Sequence, residues 1–319
     1  MDLDLLISNI TNPAFLFFIL GVVAVKLKSD LEIPPNSSKF ISLYLLFSIG
    51  FKGGQELSHE TFSTEILWSI LFGIGISLLI PFYTFFILKR KMNLYDAGAI
   101  AAAYGSVSAV TFVTAVSYLD IQKLELHGHM VAIMALMESP AIIAGLILMS
   151  IYSKEESSGA NKLSVIKHSF TNGSVLLILG SLVIGLLANA KQAEGIKPFT
   201  NDIFKGFLAI FLLDMGIISG RKLSSFLSNG WFPLLFAIAI PLFNGCLIAF
   251  LSSLITHDIA NRFMFAVLAA SASYIAVPAA MKIAIPKANP GLYLPMALAV
   301  TFPLNITFGM PLYLYVCQM

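Results

Sequence analysis

Ala101-Ala102-Ala103-Tyr104-Gly105-Ser106-Val107-Ser108 and Val267-Leu268-Ala269-Ala270-Ser271-Ala272-Ser273-Tyr274 are the stretches that decide the fold. Each interrupts an apolar segment with small and polar residues, and the second begins 166 residues after the first. The same offset lays Ser48-Ile49-Gly50-Phe51-Lys52-Gly53-Gly54-Gln55-Glu56-Leu57 over Asp214-Met215-Gly216-Ile217-Ile218-Ser219-Gly220-Arg221-Lys222-Leu223, so that two glycines and a final leucine coincide. One offset shared by two separate motifs argues for duplication.

The solvent of this duplicated chain is lipid. Of its 319 residues 58% are hydrophobic and 11% charged, too little polar surface to cover a soluble domain. Uncharged stretches such as Leu5 to Val25, Ile66 to Leu88, Ala97 to Leu119, Ser169 to Ala190, Trp231 to Thr256 and Ala288 to Met319 reach the roughly 20 residues that cross a bilayer core. Met1-Asp2-Leu3-Asp4 puts no basic region before the first apolar run, so no cleavable signal is expected. A net charge of +2 gives no sign of nucleic acid as a partner. Cys246 and Cys317 lie in apolar surroundings without metal-ligand spacing and read as packing residues.

Five apolar segments fall in each half, near 5–25, 38–54, 65–88, 96–119 and 129–152, then 172–190, 204–220, 230–256, 261–282 and 290–317. The expected fold is therefore an all-α polytopic membrane protein of ten transmembrane helices, in two inverted five-helix repeats with two broken, crossing helices. The first repeat is 1–152, a polar linker occupies 153–171, and the second repeat is 172–319. An odd number of crossings per half is what inverts the second. If the short second and seventh segments, interrupted by Lys52 and Asp214, only dipped into the membrane, the halves would be parallel. Of the 19 Lys and Arg, 13 fall on the face with the 26–39, 89–96, 153–168, 221–222 and 282–287 loops. The positive-inside rule then puts the 153–171 linker in the cytoplasm and both termini outside a plasma (inner) membrane.

Inverted repeats with interrupted helices mark many secondary transporters, whose site lies at the repeat interface. A broken helix frees backbone N–H groups that can hold an anion, while freed carbonyls and hydroxyls can coordinate a cation such as sodium. Serines and glycines in membrane helices also serve plain close packing, as the Gly50/Gly54 and Gly216/Gly220 pairs are expected to do. Lys52, Glu138 and Asp214 are charges at membrane depth, expensive unless paired or hydrated, and are candidates for ion or proton coupling. A structural Lys52–Asp214 pair is the competing reading. His127 and His129 resemble a metal site only weakly and read as solvated loop residues. No P-loop, nucleophile elbow or cysteine cluster occurs, so neither ATP-driven transport nor an enzyme is expected.

Gly105-Ser106-Val107-Ser108-Ala109-Val110-Thr111, the serine stretch at 269–275, Ile285-Pro286-Lys287-Ala288-Asn289-Pro290 and Met137-Glu138-Ser139-Pro140-Ala141 together resemble the sodium-dependent bicarbonate transporters of cyanobacteria, nearly end to end. The resemblance implies ten spans, sodium-coupled symport of bicarbonate, a homotrimer in the bilayer and a small PII-like regulatory protein. For the regulator, the linker is far shorter than in those relatives. It puts the substrate around Gly105, Ser106, Ser108, Thr111, Ser271, Ser273 and Tyr274, with sodium near Ser108, Thr111 and Ser273 and no cofactor besides that ion. The chain departs from the family at Tyr274, Ala276 and Val277, where other members carry Asp, Ser and Gly, and at Asp214, where they carry an apolar residue. Proton-coupled transport of a small carboxylate through Glu138 or Asp214, and a non-transporting membrane sensor, are the alternatives.

Overall fold

A computed structural model describes residues 13–61, 63–152, 173–227, 230–274 and 285–319, with Val277, Ala280 and Met281 between the last two. The 153–171 linker and Ala276 lie outside the described residues. Among the described residues the chain is helical, without strands, and forms ten helical segments, six of them long and apolar enough to cross a membrane. In chain order these are α1 (Pro13–Lys26), α2 (Pro35–His59), α3 (Thr64–Leu88), then α4 (Leu94–Gly105) and α5 (Ala109–Ile121), which are the two parts of one broken segment, and α6 (Gly128–Tyr152). The second half holds α7 (Gly173–Leu187), the short α8 (Ala190–Lys197), which runs on through the π-helical turn Pro198–Asp202 into α9 (Phe204–Leu227) and counts with it as one segment, α10 (Trp231–Leu251), α11 (Ile259–Ala270) and α12 (Pro290–Cys317).

The two segments that looked short are not. Both α2, 25 residues, and α9, 24 residues, are unbroken α-helices running through Lys52 and Asp214. At 1.5 Å per residue each is about 36 Å long, enough for a span. Proline at its first position and Pro34 just before start α2 without any side-chain cap, whereas Ser63, Asn93 and Asp258 cap α3, α4 and α11 through N–H groups three residues on.

Packing sorts the helices into two groups. One holds α1, α2, α7 and α9, in which the first helix of each half lies against the second helix of the other: α1 on α9, and α2 on α7. Backbones touch at these crossings. A Cβ on Gly216 would overlap the Phe18 carbonyl, and one on Gly185 the Phe51 carbonyl, with Gly21 and Gly54 facing them. The glycine pairs that the sequence marked for packing are thus used for it. The other group builds α3 to α6 and α10 to α12 around the broken segment. In the most apolar 18 residues of the 94–121 span 89% are buried, against 39% in those of α3 and of the α10 span, which present their apolar faces to lipid.

The loops gather at two ends. At one, Glu32 meets Arg221 (3.6 Å), and Asp96 accepts from the Asn289 N–H (2.7 Å). At the other, Glu60, His127 and Asp258 bring the 60–63, 122–127 and 255–258 connections together. Asn93 starts α4 at the first end and Asp258 starts α11 at the second, and both helices stop where they meet.

Candidate functional site

The meeting point is built from the two serine interruptions. Ser106 and Ser271 end α4 and α11 with nearly the same backbone angles, φ −85°, ψ 165° and φ −82°, ψ 167°. The breaks are bonded to each other in both directions. The Ser108 N–H donates to Ser271 Oγ (3.0 Å), and the Ser273 N–H donates to the Ala103 carbonyl (2.8 Å). Equivalent caps lie 165 residues apart (Asn93 and Asp258, Ser106 and Ser271, Ser108 and Ser273), one fewer than the glycine motifs at Gly50 and Gly216.

The serines divide by what their hydroxyls do. Ser106 and Ser271 donate to backbone carbonyls: Ser106 to Glu138 inside α6 (3.3 Å), which ties the break to that helix, and Ser271 to Leu268 in the last turn of α11 (2.8 Å). Ser108 Oγ accepts from the Thr111 N–H (3.2 Å) and Ser273 Oγ from the Val277 N–H (3.4 Å), which leaves both hydroxyl hydrogens unused by the backbone. Ser106, Ser108, Thr111, Ser271 and Ser273 are all buried. Gly105 is required by close approach, since a Cβ there would overlap the Pro81 ring of α3.

Side chains that the sequence reading overlooked complete the crossing. Asn305 Nδ2 donates to the Ala270 carbonyl (2.8 Å) and Asn244 Nδ2 to that of Ala269 (3.2 Å), so two amides cap the free carbonyl end of α11. Asn305 is held by the Tyr313 hydroxyl (2.9 Å) and Asn244 by that of Tyr83. The Tyr104 hydroxyl pairs with Thr301 Oγ1 (2.8 Å). Thr301 and Asn305 lie in two π-helical turns of α12, Met296–Thr301 and Asn305–Gly309, beside Pro295 and Pro303, which lack the N–H of a regular ladder. Asparagines inside an apolar stretch were the available signal.

The three charged candidates separate. Lys52 does not pair with Asp214; its Nζ lies 3.8 Å from Asp120 at the end of α5. Asp214 accepts instead from Ser38, and 14 residues of straight α2 separate Ser38 from Lys52, about 21 Å. Asp214 is buried in α9 beside Tyr274, whose hydroxyl reaches towards Ser108 and the Met215 sulfur (3.8 Å). Through its contacts with Met215 of α9 and with Ser108, Tyr274 thus connects the first helix group to the crossing. Glu138 is also buried; its backbone carbonyl holds Ser106, and its carboxyl group has no hydrogen-bond partner among the described residues.

A cavity of about 390 Å³ opens away from the serines, where the starts of α4, α10 and α12 converge. Lys91, Asn93, Asp96, Trp231 and Asn289 line it. It is an opening at the loop end of the bundle.

His127 and His129 are not the solvated pair that the loop reading expects. His129 is 5% exposed, with Nδ1 2.7 Å from Glu60 Oε2. The Gly128 N–H donates to Glu60 Oε1 (2.6 Å), and His127 stands between Glu60 (3.8 Å) and Asp258 (3.6 Å). The neighbouring Asp258 carboxylate is the main cause of a His127 pKa above its ordinary value.

The described residues form a bundle of apolar helices centred on two bonded helix breaks, an architecture found in membrane transport proteins. Comparison with known families matches residues 13–318 to the Na+-dependent bicarbonate transporter superfamily, and the chain belongs to that superfamily. A search of the curated proteins returns no match.

Proposed function

We propose that the protein is a secondary transporter in the plasma (inner) membrane that couples inward movement of sodium to uptake of bicarbonate or a similar small anion. The observation that carries this reading is the reciprocal bonding of the two breaks, from Ser108 to Ser271 and from Ser273 to Ala103. It puts the N-terminus of α5, the C-termini of α4 and α11 and the hydroxyls of Ser108 and Ser273 in one buried place, the mixed polarity that an anion and a cation require together. Ser108 and Ser273 donate to the anion, Thr111 and Tyr274 line it, and Ser106, Ser271 and Gly105 hold the two breaks in register. Sodium sits near Ser108, Thr111 and Ser273.

The halves are inverted repeats in this reading. In its support, α4 and α11, both of 12 residues and bearing equivalent caps, start at opposite ends and meet at their C-termini. Access alternates as the α1, α2, α7, α9 group rocks against the rest, with Lys52–Asp120 and Asp214–Tyr274 on the seam between them. A homotrimer with both termini outside completes this reading.

The test is uptake of labelled bicarbonate into proteoliposomes under an imposed sodium gradient. Ser108→Ala combined with Ser273→Ala should reduce uptake to the protein-free background while the protein remains monodisperse. Unchanged uptake would overturn the placement. One observation favours proton coupling as a second reading: the buried Asp214 carboxylate has a single hydroxyl donor, Ser38, and no cation within salt-bridge distance among the described residues. Uptake driven by a pH gradient alone, and lost in Asp214→Asn, would select it.

A further inference from the structure

We propose that Glu60, His127 and His129 form a binding site for a divalent transition-metal cation at the loop end opposite the Asn289 end, with Asp258 orienting one of the ligands. Glu60 follows α2, His127 and His129 flank the start of α6, and Asp258 caps α11, so three connections contribute. One ligand atom from each of Glu60, His127 and His129 lies within 4.8 Å of the others. Tetrahedral coordination with metal–ligand bonds of about 2.0–2.1 Å spaces ligand atoms by roughly 3.3 Å. The His129 Nδ1–Glu60 Oε2 and His127 Nδ1–Glu60 Oε1 separations, 2.7 and 3.8 Å, lie on either side of that value, and with all three ligand atoms within 4.8 Å, side-chain adjustments of about 1–1.5 Å close the site around an ion.

Chemistry selects the class of ion. Two imidazoles and one carboxylate suit Zn2+, Co2+ or Ni2+, whereas Mg2+ and Ca2+ require oxygen ligands throughout.

Two neighbours show that the ligands are held. A histidine that binds a metal through one ring nitrogen commonly donates the other N–H to a carboxylate, which fixes its tautomer and orientation. His127 has this arrangement, with Nδ1 facing Glu60 and Nε2 3.6 Å from Asp258 Oδ2. Asp258 is fixed in turn by the Asn261 N–H (2.7 Å), and Glu60 by the Gly128 N–H (2.6 Å). The His129 side chain is 6% exposed and that of Glu60 16%, while His127 is 40% exposed. The site is therefore walled on the protein side and open to solvent on the other, which leaves a coordination position for water.

The site is separate from the serine crossing, because the whole of α11, 12 residues or about 18 Å, lies between Asp258 and Ser271. It nevertheless links residues 60–129 to the helix that ends at the crossing.

Zn2+ is the probe. The full chain, stripped with a chelator and held in detergent near pH 8 so that protons do not compete for the imidazoles, is titrated calorimetrically and by thermal unfolding. The expected result is one saturable Zn2+ per chain at micromolar concentration and a raised unfolding temperature, with no effect of Mg2+. His127→Ala with His129→Ala should weaken binding at least 100-fold. Asp258→Asn should keep the stoichiometry and weaken affinity roughly 10-fold. Absence of saturable binding in the unmodified chain below about 0.1 mM would overturn the site, as would an unchanged affinity in the double variant. Should the double variant fail to fold, Glu60→Gln and His127→Gln, checked for an unaltered metal-free unfolding temperature, decide the question by the same criterion.

Discussion

Gly105 carries the tightest demand at the scale of single residues. Its missing Cβ is the space taken by the Pro81 ring, and Pro81 cannot rotate away because its ring is tied into α3. Gly105→Ala is expected to destabilise the protein by about 1–3 kcal/mol, the usual cost of overfilling a packed site. Thermal unfolding of the variant against the parent in detergent measures this, and an unchanged unfolding temperature would show that the break is looser than described. Single residues were also where the sequence was hardest to read. The serines at 106, 108, 271 and 273 were legible as a group, because small polar residues inside an apolar run interrupt it. Their division of labour was not, since a hydroxyl that donates to a carbonyl and one that accepts from an N–H are the same letter. Glu60 escaped notice because nothing in the sequence brings it to His129, 69 residues away. Lys52 and Asp214 had attracted a pairing by opposite charge, and their different depths along α2 forbid it.

At the scale of elements, the half-helix α11 depends on α12 for its end. The Ala270 carbonyl has lost its helical partner at the break and is met by Asn305. Asn305→Leu keeps the volume approximately and removes the donor. It should therefore cost about 1–3 kcal/mol, the desolvation penalty of an unpaired buried acceptor, while the Tyr313 hydroxyl keeps its bond to Pro241. A fall in the unfolding temperature, together with a transport rate depressed more than that of a lipid-facing control such as Leu79→Ala, is the expected outcome; a rate no lower than the control's would reduce Asn305 to packing. The elements themselves were largely legible, because apolar length decides a span and the ten segments fall close to where hydropathy put them. The exceptions have a common cause. In α2 and α9 the charged residues cut the hydropathy short while the backbone continued as helix, with Lys52 supplied by Asp120 and Asp214 by Ser38. The register of the repeat likewise changes by one residue between the second and fourth segments, a difference that cap geometry resolves and apolar similarity cannot.

Across the whole molecule, the two halves are interlocked. Because α1 packs on α9 and α2 on α7, neither half contains the partners that bury its own first two helices. Chains ending at Tyr152 or starting at Gly173, expressed singly, should give little monodisperse protein. Expressed together they should co-purify through the α1–α9 and α2–α7 crossings, as a tag on one fragment would report. A stable single fragment would show that the halves are self-sufficient. The sequence reads as two copies at a shared offset, but an exchange of helices between halves leaves no trace in a self-comparison, since similar segments look alike whichever partner they choose.

The crossing of Gly21 with Gly216 also sets a schedule. About 195 residues separate the two glycines, and at a synthesis rate of roughly 5–20 residues per second α1 waits some 10–40 s in the membrane before α9 exists to receive it. Until then its small-residue face is available to any other helix with a complementary groove. The nascent first half must therefore be kept from wrong partners by the insertion machinery or by lipid alone, and assembly of this protein is limited by the time taken to make its second half.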